Sequence, residues 1–172
     1  MHRHHEIDGI HLHLSQPHEA QGEWIGQQEI LRQLPLMAAR ASSDPLRDVF
    51  EAHYRTTLCQ VDRLDEIFEH LDERRRPTTA PAIRGLVEEA RLRQECLDRG
   101  GLLDLALVNS GRRIGHYEMA VYRGLLAYAT RLTDEVSRTL LLRTVEEECQ
   151  MDERLERFLA QPPISISGVT AA

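Results

Sequence analysis

Two glutamates stand where amphipathic helices would otherwise place apolar residues. Glu118 follows Ile114 by four positions and precedes Val121 by three; Glu147 follows Thr144 by three and precedes Met151 by four, with Glu148 beside it. On an earlier stripe His53 sits between Phe50 and Thr57, followed by Thr56 and Gln60, and Gln27 lies between Trp24 and Leu31. A carboxylate on an apolar stripe is costly unless it is paired, protonated or bound to a metal. Carboxylates and an imidazole gathered at one level of a helical bundle are the chemistry of a metal centre. The candidate ligands are therefore Glu118, Glu147, Glu148 and His53, and the candidate ions iron or manganese. The alternative is a buried polar cluster closed by hydrogen bonds, or glutamates at the stripe edge facing water, with no metal at all.

Other chemistries find less support. The 172 residues include 21 basic side chains, every one of them arginine. Without lysine, Schiff-base, pyridoxal-phosphate and P-loop mechanisms are excluded for this chain. No Ser-His-Asp arrangement, CxxC pair or glycine-rich phosphate loop is present. Cys59, Cys96 and Cys149 are too scattered for a disulfide framework and read as reduced thiols in a cytoplasmic protein. The net charge of −7 argues against nucleic acid as a partner. No secretory signal and no apolar run near 18 residues is expected to take the chain to a membrane. Six of the nine histidines fall within the first 18 residues. That stretch reads as a flexible leader over residues 1–17, with metal capture by its imidazoles as the sharper alternative.

The elements that must position these residues are helices. A stripe through Trp24, Leu31, Leu34 and Ala38 predicts a first helix over about His18–Ala41, kinked at Pro35. Asp44 and Pro45 predict the cap and first turn of a second, whose stripe runs from Leu46 through Phe50, His53, Val61 and Leu64 to Leu71. A polar run ending in Pro77–Pro81 is a loop, followed by a short helix over about Ala82–Leu97. Gly100-Gly101 separates this from a fourth helix over about Leu102–Leu132. Thr133-Asp134 turns into a fifth that ends near Ala160, and residues 161–172 read as a loose tail. Helices of 24 to 31 residues span roughly 36–46 Å at 1.5 Å per residue and bury their stripes best side by side. Two tightly joined pairs linked by a long connection give an all-α, ferritin-like four-helix bundle over residues 18–160, with the short helix in the crossover.

The sequence also resembles a known family. His116-Tyr117-Glu118 with Tyr122 is similar to the motif V-E-H-Y-E-x-x-x-Y of the YciE/YciF family of ferritin-like bacterial proteins, of the DUF892 type. Glu146-Glu147-Glu148 with Asp152 resembles its E-E-E-K-x-x-D, and Gly85-Leu86-Val87-Glu88-Glu89 its E-G-L-I-E-E. Phe50-Glu51-Ala52-His53 through Gln60 to Leu64 follows its F-x-x-H-L-E-E-T-x-x-Q-x-x-R-L. The likeness covers about Trp24 to Leu159. It implies a five-helix ferritin-like fold, a homodimer, a link to bacterial stress responses, and a di-iron carboxylate site with a ferroxidase role. Carried over position by position, the family's first-helix glutamate falls at Gln27, the paired glutamates of H-L-E-E-T at Arg55 and Thr56, and the first glutamate of V-E-H-Y-E at Gly115. Glu118, Glu147, Glu148 and His116 match. The expectation is a non-catalytic protein with a depleted di-metal site. The alternative is a di-iron or manganese carboxylate protein with ferroxidase-like activity on a rebuilt site.

Overall fold

In a computed structural model, the backbone of residues 2–76 and 78–160 is described, with side chains from residue 19 onward. Five helices follow one another: α1 (His2–Arg40), α2 (Asp44–His70), α3 (Pro81–Cys96), α4 (Gly101–Arg131) and α5 (Glu135–Leu159). α1 begins well before residue 18, where the periodicity places its start, so the helical backbone reaches back through the histidine-rich stretch. The side chains of that stretch, and the tail 161–172, lie outside the described residues.

Neighbouring helices in space are α1 with α2, α2 with α5, α5 with α4 and α4 with α1, which closes a ring of four; α3 lies outside it against α1 and α4. Contacts at the two ends fix the directions. At one end the Asp104 carboxylate, in the first turn of α4, accepts from Ser42 N and Ser43 N of the α1–α2 turn at 2.7 and 3.1 Å. At the other, His70 in the last turn of α2 meets Asp134, the cap of α5, at 2.9 Å. So α2 and α4 run the same way, and the segment through α3 carries the chain back along the bundle. This is the crossover of a ferritin-like fold.

The core divides into two apolar clusters. One gathers Ile30, Leu34, Met37, Phe50, Leu103, Leu107, Ile114 and Leu155; the other gathers Ala20, Leu64, Phe68, Tyr122, Leu125 and Leu141. α1 continues as helix through Pro35, because Leu34, Met37 and Ala38 are buried on both sides of it. Their burial offsets the roughly 3 kcal/mol that proline costs inside a helix. α2 is capped by Ser43, with Asp44 already in its first turn, one residue earlier than the sequence suggests.

A buried carboxylate cluster between the two cores

Between the apolar clusters lies a layer of polar side chains. His53 and Gln60 come from α2, Glu118 and Tyr122 from α4, Glu148 from α5, and Glu23 and Gln27 from α1. All are at most 3% exposed. Ligand atoms of His53, Glu118 and Glu148 lie within 4.8 Å of one another, and this is the one such group of three among the described residues. His53 Nε2 stands 3.6 Å from Glu148 Oε1, which also accepts from Gln60 Nε2 at 2.7 Å. Thr57 Oγ1 donates to the His53 carbonyl oxygen and fixes that turn of α2.

Gln27 organises the other half. Its Nε2 lies 2.6 Å from Glu118 Oε1, 2.9 Å from Glu23 Oε1 and 2.9 Å from Tyr122 OH. An amide has only two N–H groups, so three acceptors cannot all be served at once. Burial raises the Glu23 carboxyl to about 7, against the pull of the Gln27 bond and helped by the nearby Glu148 charge. Burial also lifts Glu118 well above the usual carboxylate range, reinforced by repulsion from Glu148 and Glu23. Tyr122 is held protonated for the same reason, loss of water first and three carboxylates next. Without a cation, these acids share protons rather than bear three charges.

Of the four residues expected as ligands, three come together. Glu147 does not join them. It is partly exposed, and its Oε1 is bound by Arg63 of α2 and, at 3.2 Å, by Arg143 one turn back on α5. The reason is rotational. The buried row of α5 is Leu141, Thr144, Glu148, Met151 and Leu155, so Glu147 stands one step aside while Glu148 points inward. Arg63 is itself buried and donates to Thr144 Oγ1 at 2.7 Å, which locks the pair between α2 and α5. His116 is exposed and faces Asp152, outside the cluster. No thiol reaches it either: Cys59 is exposed, and Cys149 Sγ contacts Met119 Sδ at 3.6 Å.

Glu23 is the member the sequence reading missed. The signal was present, since Ala20, Glu23, Gln27, Ile30 and Leu34 recur at three and four and form the buried face of α1. Placing the stripe on Trp24 turned the helix by one residue and left Glu23 on the wrong side. Gly115 also belongs here. A Cβ built on it would meet only Glu148 Oε2, at 3.6 Å. The position is therefore open toward the cluster and supplies no ligand.

Known proteins are similar to this chain in sequence and fold. The family model for a domain of unknown function, DUF892, matches residues 24–163. Protein YciF of Escherichia coli (strain K12) is 28% identical over 150 residues, 87% of each chain. The crystal structure of the E. coli stress protein YciF superimposes with a TM-score of 0.82 at 27% identity, covering 85% of this chain and 92% of that one. YcfI of Rhodopseudomonas palustris gives 0.77 at 30% identity, over 82% and 90%. A protein of Xanthomonas campestris pv. campestris, 18% identical, shares the fold at 0.68 over 87% and 92%.

Proposed function

The chain belongs to the DUF892 family, and on that premise we propose that it is a non-catalytic member whose bundle serves as a structural or interaction module in bacterial stress physiology. The observation that carries this reading is the composition of the cluster. Among the described residues only three acids are buried, Glu23, Glu118 and Glu148. The positions where the family motif has further glutamates hold Arg55, Thr56 and Gly115. A pair of irons bridged by carboxylates needs several anionic oxygens to balance its charge. Two ferrous ions bring four positive charges against at most three negative ones here, and two ferric ions bring six. Glu147 adds nothing, because Arg63 and Arg143 already neutralise it. The donor set therefore does not fit the implied di-iron group.

Two relatives support the reading from outside. One is named as a stress protein and another as a proposed structural protein. Neither name states a reaction. We further expect a cytoplasmic homodimer that does not bind nucleic acid, in keeping with the net charge of −7. No described helix is long and apolar enough to cross a membrane.

The test is oxygen-dependent Fe(II) oxidation by tag-free protein. We expect a rate equal to that of buffer. Two tightly held irons per chain with turnover in air would overturn the proposal. Sedimentation at micromolar concentration should show a dimer, and monomer alone would remove that part.

A further inference from the structure

Six polar atoms of the cluster are buried and lack any hydrogen-bond partner: Gln27 Oε1, Gln60 Oε1, Glu118 Oε2, Glu148 Oε2 and both ring nitrogens of His53. Four are oxygens that can only accept, apart from whatever protons the carboxyls keep, and one nitrogen of a neutral imidazole is a further acceptor. Buried polar groups in native proteins are nearly always satisfied. One water has two protons and could serve two of these atoms. A cation serves several acceptors at once, and a convergence in which acceptors outnumber donors is what cation sites are made of.

We propose that this cluster holds a single divalent transition-metal ion, bound by His53, Glu118 and Glu148, with the amide oxygens of Gln27 and Gln60 at its border. The inference extends the proposed function, since it takes the loss of the second ion as given. Charge decides the number. One divalent ion is balanced by the two carboxylates of Glu118 and Glu148, leaving a neutral buried unit. A second would bring four positive charges against at most three carboxylates, Glu23 included, and leave net positive charge in a layer from which water is excluded; Glu147 cannot make up the difference, because it is taken by arginine. Size agrees as well. Metal–ligand bonds of about 2.1 Å put facing ligand atoms roughly 4 Å apart, and the three ligand atoms lie within 4.8 Å of one another before any ion draws them in. One imidazole and hard oxygens, without sulfur, suit zinc, cobalt, manganese or ferrous iron rather than copper(I).

The test uses the full chain, stripped with a chelator and titrated with Co(II), and compares it with Glu118→Gln, Glu148→Gln and Glu147→Gln. The leader histidines are common to all four, so the difference between proteins reports the cluster. We expect the wild type to retain one more cobalt per chain after gel filtration than Glu118→Gln or Glu148→Gln, with a visible d–d band lost in both. Glu147→Gln should bind within about threefold of wild type. Melting curves of the stripped variants check that they fold, which the removal of a buried charge favours. Equal cobalt content in wild type and Glu148→Gln overturns the single-ion site and leaves the non-catalytic reading standing. So does a loss in Glu147→Gln equal to that in Glu148→Gln. Two cobalts lost per chain would overturn it too, and only iron turnover in air would bring down the proposed function with it.

Discussion

A carboxyl group without water or a cation beside it keeps its proton, and Glu23 is built to do so. Unfolded, it titrates near 4.5; in the stripped bundle burial lifts it to about 7. Between those values the folded chain holds a proton that the unfolded chain has released. Raising the pH through that window therefore favours unfolding. The stability lost is on the order of 3 kcal/mol, and Glu118, also raised, pushes the same way. The melting temperature of chelator-treated protein should fall from pH 5 to pH 7.5, and Glu23→Gln should flatten that fall. A wild-type curve rising over this range would contradict the assignment. At this scale the sequence was only partly legible. Glu118, His53 and the inward position at 147–148 could be read from the three-four spacing, because each stripe was anchored by large apolar neighbours. The choice between Glu147 and Glu148 could not, because one residue of rotation decides it; Glu23 carried the same spacing but was passed over, because Trp24 beside it is amphipathic enough to mark a stripe edge.

At the scale of the element, glycines show where helices must approach. A Cβ on Gly111 would meet Leu155 Cδ1 at 3.1 Å and Phe50 Cε1 at 3.2 Å, both in the packed core between α4, α5 and α2. Gly85 on α3 has nothing within 4 Å. Alanine gains about 1 kcal/mol of helix propensity at either place, but overpacking a core costs roughly 1–3 kcal/mol. Gly85→Ala should thus raise stability by about 1 kcal/mol and Gly111→Ala lower it by about as much, measured by denaturant unfolding. Equal signs would refute the close approach. Asp134 is the other lever. Burial works to raise its carboxyl, but the bonds from Ser137 and the neighbouring His70 outweigh that and hold it below its usual value. Asp134→Ala should cost about 1 kcal/mol at neutral pH. The penalty should shrink as the pH drops below about 4, where the wild-type carboxylate also loses its charge. The sequence announced this cap and all five helices, since capping and breaker residues act locally. It placed the start of α1 at about His18, whereas the helix begins at His2, because the apolar stripe that marks it begins only at Trp24.

For the molecule as a whole, the decisive fact is that the cluster's candidate ligands come from three different helices. His53, Glu118 and Glu148 tie α2, α4 and α5 together, and Gln27 brings in α1. Helix order and the crossover could be read from loop lengths, but which side chains meet depends on helix rotation in the packed bundle. The surface adds little to stability, since its arginine pairs, such as Arg91 with Glu88 and Glu95, are exposed and screened by solvent. An ion in the cluster acts differently. It binds only when all three helices are in place, so its binding free energy becomes stability of the entire fold. At a free concentration a hundred times its dissociation constant, that amounts to about 2.7 kcal/mol. For a chain of this size the melting temperature should rise by roughly 5–10 °C. Because the ligands span the bundle, the shift should occur in one cooperative transition rather than as a separate local step. Cobalt(II) or zinc(II) added to stripped protein should produce it, Glu147→Gln should retain it, and Glu148→Gln should abolish it. A shift that persisted in Glu148→Gln would place the bound ion elsewhere, on the leader histidines, and would return the cluster to a polar layer closed by shared protons.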